Sequence, residues 1–208
     1  SELESTSEIS EEESEEEVGN KYNGTTIICL KDGNIFTHMN SIIIHDNDNL
    51  YVAARLYDSE PSEIVKQLAP RDDWYYAFDE MADWLNISID SRHDHQTGFS
   101  FSVNASGVIC DAMIYNDENI DYDWNAIWEA EVQINDLGWS LEIEIPFSNL
   151  SFYEGDKLTW GINITRFIQR KYETITWVTF PMEVEGIAST YGHLKGLEGI
   201  YPPSKFKF

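Results

Sequence analysis

Short segments in which apolar and polar residues alternate are the feature that most constrains how this chain can fold. The segment 138–146 reads Gly-Trp-Ser-Leu-Glu-Ile-Glu-Ile-Pro, so its aliphatic residues fall on one face of an extended strand and its glutamates on the other. Its closing proline lacks a backbone donor and ends the strand. A strand with one apolar face must bury that face against another layer, which favours a sheet packed on a sheet.

Similar segments recur along the chain, separated by turns rich in Gly, Asn and Asp. We predict strands over residues 41–45, 50–57, 84–90, 98–103, 108–114, 139–146, 158–166 and 174–180. A short helix is predicted over residues 61–68, because proline stands at its start and Ile64, Val65 and Leu68 share one face. The Gly-rich segment 192–203 is predicted to be irregular. Nine or so strands and one brief helix predict an all-β antiparallel sandwich with a single core.

The first 20 residues form a Ser/Glu low-complexity run with too few apolar side chains to offset the entropy cost of ordering. We expect residues 1–20 to be a disordered acidic arm and residues 21–203 to form the sandwich. Residues 204–208 are expected to be a tail or the start of a linker to a following domain. The sequence shows no internal repeat and no second domain.

The charge of the chain limits its partners. Thirteen Lys and Arg stand against 38 Asp and Glu, which gives a formal net charge of −25 at pH 7. Nine of the glutamates lie in residues 1–20, so most of the charge belongs to the remainder. Such a surface repels nucleic-acid phosphates and anionic lipid, which argues against a nucleic-acid or membrane-surface binder.

Catalytic motifs are missing from the sequence, which has no nucleophile elbow, phosphate-binding loop or metalloprotease helix. Glu142 and Glu144, two apart on one strand, would place their carboxyl groups about 6–7 Å apart, near the separation of glycosidase pairs. Alternating glutamates are also what the solvent face of a half-exposed strand needs. We therefore expect that the chain is not an enzyme.

An ordered series of short motifs spans roughly residues 41–200. In order they are Asn49-Leu-Tyr-Val52 with Tyr57-Asp-Ser-Glu-Pro61; Arg71-Asp-Asp73; Asp83-Trp84 leading to Ile89-Asp90; Phe101-x-Val-Asn104 with Gly107 and Asp111; Trp124-Asn125-x-x-Trp128; Gly138-Trp139 with Glu142-x-Glu144-Ile-Pro-Phe147 and Leu150; Trp160-Gly-x-Asn163 with Arg166; Arg170-Lys171-x-Glu173; Trp177; and Gly192-x-Leu-x-Gly196.

In order and spacing these motifs resemble the family-9-type carbohydrate-binding module, in the version that precedes a large outer-membrane β-barrel in many Gram-negative proteins. The resemblance covers about three quarters of the chain. The segment 192–203 resembles the stretch that immediately precedes the barrel. The family's usual opening, Ile-Asp-Gly followed by Glu-x-x-Trp, is echoed only by Cys29-Leu-Lys-Asp-Gly33, and no Trp follows.

The resemblance implies a jelly-roll or immunoglobulin-like sandwich, glycan or oligosaccharide binding without catalysis, and often structural calcium. It also implies a place in the periplasm, outer membrane or cell surface of a Gram-negative bacterium, with an outer-membrane β-barrel in the same polypeptide. We expect a monomer. A different hypothesis is a structural or interaction domain that docks onto its own barrel or a partner protein without binding sugar.

Several side chains are candidates for contacting a glycan, because sugars are held by aromatic stacking and by planar polar groups that pair their hydroxyls. Trp74 and Trp177 match the regions that supply the two clamp rings in the sugar-binding relatives, and Tyr75 lies beside Trp74 in a polar loop. The polar candidates are Arg71, Arg166 and Asn163. An alternative for each arginine is an ion pair with a neighbouring carboxylate, such as Asp72.

Other candidates concern metals and cofactors. Asp90, Asp94 and Gln96 lie in an oxygen-rich turn that suits calcium, although turn capping explains the same residues. His93 and His95 lack a third ligand in the sequence. Cys29 and Cys110 form either one disulfide or two small buried side chains. A haem-binding sandwich is a third hypothesis for function, for which Met81, Met113 and His193 are available but unpaired by spacing.

Overall fold

The computed structural model describes residues 24–30, 39–178 and 186–202, with the backbone alone described for residues 24–30. The described residues form twelve strands and one α-helix. In chain order these are β1 (Gly24–Leu30), β2 (Met39–His45), β3 (Asn49–Tyr57), α1 (Trp74–Ala77), β4 (Trp84–Asp90), β5 (Gly98–Asn104), β6 (Ile109–Tyr115), β7 (Asn119–Asp121), β8 (Glu129–Asn135), β9 (Gly138–Pro146), β10 (Lys157–Ile168), β11 (Glu173–Thr176) and β12 (Gly192–Glu198). Single 3₁₀ turns lie at Pro61–Glu63, Phe147–Asn149, Gln169–Lys171 and Ala188–Thr190.

The strands form two antiparallel sheets. One has five strands in the order β1-β2-β3-β9-β8. The other has the order β11-β10-β4-β5-β6-β7, and β12 pairs with β10 along the edge that β11 also uses. This architecture confirms the predicted all-β antiparallel sandwich.

A single large apolar cluster lies between the two sheets. Val52 of β3 pairs with Ile143 of β9 in the five-stranded sheet, and Ile87 of β4 pairs with Phe101 of β5 in the other. All four are buried, and each side chain of this kind contributes about 1.5–3 kcal/mol when fully removed from water. The indoles of Trp128, Trp139 and Trp160 are buried in the same cluster.

The outer faces of the two sheets carry different side chains. On the five-stranded sheet, Glu131 pairs with Glu142 and Glu129 with Glu144, and all four are exposed or half-buried. On the seven-stranded sheet the corresponding positions of β4 and β5 hold small neutral polar residues. The first face is an ordinary solvated surface, whereas the second has a composition suited to a covered or ligand-binding surface.

Two predictions of local structure are wrong. The helix predicted over residues 61–68 is limited to the 3₁₀ turn Pro61–Glu63. The chain leaves the helical conformation because the amide of Val65 donates to the Asp83 carboxylate and its carbonyl accepts from the Asp83 amide. The segment 192–203, predicted to be irregular, contains β12, which adds to the open edge of β10.

Parts of the sequence-based description lie outside the described residues. These parts are the acidic arm predicted for residues 1–20, the tail predicted for residues 204–208 and the last two residues of the strand predicted over 174–180. In the described portion of the chain, no helix is long and apolar enough to cross a membrane.

Candidate functional site

A cavity of about 190 Å³ opens on the outer face of the seven-stranded sheet. Side chains of β4, β5, β6 and β10 that point away from the core form its floor. Aromatic residues close the cavity at one end of these strands, and the segment 187–191 closes it at the other.

The floor is a network of small neutral polar side chains. Nδ2 of Asn86 donates to Oγ of Ser100 at 2.6 Å and to Oγ of Ser102 at 2.8 Å. Oγ of Ser88 donates to Oδ1 of Asn86 at 2.8 Å. Because Ser100 and Ser102 accept from Asn86, each serine keeps its own O–H for a further partner.

Three aromatic residues form the first end of the cavity. Trp74, the first residue of α1, stacks on Phe78 with ring centroids 5.4 Å apart. Its indole is tilted against Trp84 at 5.6 Å and against Tyr122 at 5.7 Å. Trp74, Trp84 and Tyr122 all line the cavity, so the aromatic contacts hold a rigid apolar surface beside the polar floor.

The aromatic end is electrically neutral near pH 7. Burial raises the pKa of Tyr122 to about 12 and that of the Cys110 thiol to about 12. Cys110 is a free, buried cysteine, in agreement with the alternative that treats it as a small buried side chain. This end of the cavity therefore favours an uncharged ligand.

Asp111 is the one charged residue among the described residues that line the cavity, and its carboxylate is already occupied. It accepts from Arg71 Nη2, from the amide of Ala126 at 2.6 Å and from Nε1 of Trp128 at 2.9 Å. Arg71 also donates to the Ala126 carbonyl and to Asp72 at 3.1 Å. Arg71 thus ties β6 to the segment before β8, as the ion-pair alternative predicted.

The second end of the cavity is held by Asp117. Its Oδ1 accepts from the amides of Ile187 at 3.1 Å and Ser189 at 2.8 Å. Burial acts to raise the pKa of Asp117, but hydrogen bonds from Ser189 and Ile187 outweigh it and lower the pKa below its ordinary value. Ile187 and Tyr191 then line the cavity, and the Tyr191 hydroxyl lies beside Ser88 of the polar floor.

Of the glycan-contact residues predicted from the sequence, Trp74 and Asn163 line the cavity. The Asn163 side chain is already engaged, because Oδ1 accepts from the amides of Ile164 and Val178 and Nδ2 donates to the Val178 carbonyl. Tyr75 follows Trp74 in α1 but is 75% exposed and lies outside the lining set.

Trp177 and Arg166, which the sequence also suggested as glycan contacts, lie outside the cavity lining. Trp177 is half-buried and packs against the core cluster, with its ring so close to Gly192 that an added β-carbon there would come within 2.7 Å of it. Arg166 is 1% exposed, donates to the Tyr57 carbonyl at 2.9 Å and lies 4.0 Å from Asp58. A guanidinium sealed in this way does not reach a ligand on the outer face.

Sequence reasoning missed the polar floor. Asn86 and Ser88 alternate with isoleucines in β4, and Ser100 and Ser102 alternate with aromatic and aliphatic residues in β5. The available signal was that these outward positions carry neutral residues, whereas the outward positions of β9 carry glutamates. Trp84 is buried and also lines the cavity.

The residues predicted to bind calcium are hydrogen-bonded within their own turn. Asp90 accepts from the amides of Asp94 at 3.3 Å and His95 at 2.9 Å, and Asp94 accepts from the amides of Gln96 and Thr97. Across the described ranges, no group of three or more His, Cys, Asp or Glu side chains is arranged to hold a metal ion. Turn capping accounts for these residues, and calcium binding stays a prediction.

Comparison with known proteins identifies the fold. No family model matches the sequence, and no curated protein matches it. A candidate carbohydrate-binding protein from Bacteroides uniformis has a similar structure, with a TM-score of 0.63 and 13% identity over 82% of this chain and 85% of that one. A carbohydrate-binding module of family 9 from Caldicellulosiruptor kristjanssonii, in complex with cellotriose, has a TM-score of 0.56 and 16% identity over 89% of this chain and 84% of that one. The chain thus has the family-9-like fold that the motifs implied.

Proposed function

We propose that this domain is a non-catalytic carbohydrate-binding module that holds one uncharged sugar ring in the cavity on the seven-stranded sheet. The observation that carries the proposal is a single cavity with a neutral hydrogen-bonding floor, around Asn86, and an aromatic end that includes Trp74. A pyranose presents the same two surfaces, because it has hydroxyls at its rim and an apolar C–H face.

The size of the cavity favours one ring or the end of a glycan. Its volume of about 190 Å³ is below the ~300–1,000 Å³ of pockets for drug-sized ligands. Further units of an oligosaccharide would therefore extend beyond it. Tyr75 and Tyr76, both exposed and directly after Trp74 in α1, are available to contact such a unit.

The binding surface is already formed in the free protein. Phe78, Trp84 and Tyr122 pack around Trp74, and hydrogen bonds fix the polar floor. A ligand therefore immobilises few rotatable side chains, so little entropy is lost on binding.

Catalysis by the glutamate pair has no geometric support. Glu142 and Glu144 lie on the outer face of the five-stranded sheet, on the opposite side of the core from the cavity. The structural neighbours also favour binding over catalysis. One is a candidate carbohydrate-binding protein, and the other is a carbohydrate-binding module in complex with cellotriose. Cellotriose is accordingly the first ligand to test.

Isothermal titration of the purified chain with cellotriose and a panel of neutral and uronic oligosaccharides tests the proposal. We expect a neutral member to bind and Trp74→Ala to weaken its binding by roughly fivefold or more, since stacking on one ring contributes on the order of 1–2 kcal/mol. Tyr153→Ala is the matched control, because Tyr153 is exposed and outside the cavity lining. Absence of binding to any oligosaccharide of the panel, or an equal loss of affinity in both variants, contradicts the proposal.

The competing function is a docking domain for a protein partner. It is favoured by the exposure of Tyr75, Tyr76 and Met81 in one stretch of chain. The position of Trp74 inside a concave cavity favours a small ligand instead. Haem binding gains no support, since in the described structure His193 is hydrogen-bonded to His93 rather than placed with a methionine.

We further propose that the domain acts as a monomer at the cell envelope of a Gram-negative bacterium, in the same polypeptide as an outer-membrane β-barrel. The support is the motif series and the resemblance of the segment 192–203 to the stretch before such barrels. Fractionation of the native host, with an antibody against this domain, tests the location. Recovery in the cytoplasmic fraction would overturn it.

A further inference from the structure

We propose a second site, separate from the cavity, in which His93, His95 and His193 bind one divalent transition-metal ion. His93 and His95 lie in the loop between β4 and β5, and His193 lies near the start of β12, 100 residues after His93. The sequence shows two of these ligands two residues apart, and the fold brings the third to them.

The contact between His93 and His193 is the central observation. Nε2 of His93 lies 3.0 Å from Nδ1 of His193, with ring centroids 5.0 Å apart and ring planes 21° from parallel. One nitrogen donates a proton and the other accepts it, so an in-plane lone pair of one ring points at the N–H of the other. A metal ion that replaces this proton would be bound by both nitrogens.

The spacing of the two nitrogens is close to that of a metal-bound pair. At Zn–N distances of ~2.0–2.1 Å and a tetrahedral angle, two ligand nitrogens are about 3.3 Å apart. The observed 3.0 Å needs to open by a few tenths of an ångström. His193 is exposed and His93 is half-buried, so an ion reaches the pair directly from solvent.

His95 supplies the third imidazole. Its ring centroid is 4.6 Å from that of His93, with the planes 74° apart. Because no three donors in the described residues are already arranged around a metal, the His95 ring must turn toward the pair as the ion binds. Three imidazoles leave a fourth position for water, which is a common set for zinc and also suits nickel and copper.

The overall charge of the chain favours a cation, against the effect of two bases that lie close in sequence. Arg92 precedes His93 and donates to the Ser151 hydroxyl at 2.9 Å, and Lys195 follows His193 by two residues. The formal net charge of the chain, −25, attracts divalent ions in general. Both His93 and His95 have left-handed backbone, with φ of 51° and 58°, a conformation that non-glycine residues rarely adopt outside turns and functional sites.

Titration of the untagged chain with Zn²⁺ by calorimetry, and with Co²⁺ by visible absorption, tests this site. We expect one Zn²⁺ per chain, a ligand-field spectrum with Co²⁺, no comparable binding of Mg²⁺ and a rise in melting temperature with Zn²⁺. His93→Ala, His95→Ala and His193→Ala should each weaken Zn²⁺ binding by about tenfold or more. Where circular dichroism shows that an alanine variant does not fold, the corresponding glutamine variant is used instead.

Two controls separate this site from background binding. His38→Gln, a histidine elsewhere in the chain, should leave Zn²⁺ affinity unchanged. The triple variant H93A/H95A/H193A should lose the one-to-one binding. Absence of stoichiometric Zn²⁺ binding, its survival in the triple variant, or full affinity in His95→Ala would overturn the three-histidine proposal.

Discussion

The side-chain nitrogen of Asn86 lies 2.6 Å from the hydroxyl oxygen of Ser100, on the face of the seven-stranded sheet that points away from the core. This bond joins β4 to β5 through their side chains as well as through their backbones. It leaves the serine hydroxyl with a proton to donate, in a cavity whose described lining has no unpaired charge. This hydrogen bond explains why a serine faces outward here. A glutamate at the same position would bring a charge and its bound water into the neutral floor of the cavity.

Filling the cavity should weaken sugar binding without unfolding the protein. Ala112 lines the cavity and pairs with Ser100 across β5 and β6. In Ala112→Leu the larger side chain extends into the cavity, so we expect affinity to fall by roughly tenfold or more and the free energy of unfolding to fall by at most about 1–3 kcal/mol. Calorimetric titration and urea unfolding measure the two effects. Ala53→Leu, on the exposed outer face of the other sheet, is the matched control and should bind normally.

Arg71 should matter for stability rather than for sugar affinity. Its guanidinium supports the buried Asp111 carboxylate and the Ala126 carbonyl, and it lies outside the cavity lining. We expect Arg71→Ala to lower the free energy of unfolding by about 1–3 kcal/mol, since a charged hydrogen-bond partner is lost. Sugar affinity of the folded variant should match that of the unchanged protein. A selective loss of affinity with unchanged stability would restore Arg71 as a ligand residue.

Among the ion pairs of the described structure, the one between Asp58 and Arg170 should cost the most stability when it is broken. Both guanidinium nitrogens Nη1 and Nη2 donate to the Asp58 carboxylate, at 2.7 and 2.6 Å, and that carboxylate is 1% exposed and close to the buried Arg166. Breaking a buried pair typically costs about 3–5 kcal/mol, so we expect a loss of this size in Asp58→Ala. Lys157→Ala breaks an exposed pair with Glu198 and should cost at most about 1 kcal/mol. Equal losses in the two variants would contradict this reading of the ion pairs.

The sequence was sufficient for most strands but not for edge elements. The alternation over 138–146 predicted β9 because both of its neighbours bury the same face. β8 was missed although Glu129–Asn135 alternates as well, because this edge strand only half-buries its apolar residues, Ala130, Val132 and Ile134. β12 is not predicted because Gly192 and Gly196 suggest irregular chain. Gly192 has a different reason to be glycine, since the Trp177 ring leaves no room for a side chain there.

Stability should depend on Asp94 at acid pH. Burial acts to raise its pKa, but hydrogen bonds from the Thr97 and Gln96 amides outweigh burial and lower the pKa below its ordinary value. A carboxyl with a lowered folded-state pKa stabilises the fold above its unfolded-state pKa of about 4 and loses that contribution as pH falls through the folded-state value. Urea unfolding between pH 2 and pH 6 should therefore show a shallower acid loss in Asp94→Asn than in the unchanged chain. Identical slopes would contradict the assignment.

The candidate site could be predicted only in part. Trp74 could be proposed from the region that supplies a clamp ring in the sugar-binding relatives, and Asn163 from the motif Trp160-Gly-x-Asn163, because each of these segments is continuous in sequence. The floor combines Asn86, Ser100 and Ala112 from three strands, and their meeting depends on the pairing register, which alternation does not specify. The prediction for Arg166 fails for a related reason. Bases are few in this acidic chain, which suggests that Arg166 contacts a ligand, but its burial beside Asp58 is visible only in the fold.

The most direct test of the central claim is a heteronuclear NMR titration of the isotope-labelled chain with cellotriose and the other neutral oligosaccharides of the panel. The expected result is a saturable shift, with at least one sugar, of the Asn86 side-chain amide, the Ser100 and Ser102 backbone amides and the Trp74 indole N–H. Absence of any saturable shift across the panel, or shifts confined to the outer face of the five-stranded sheet around Glu142, would contradict the assignment of this cavity as a sugar-binding site.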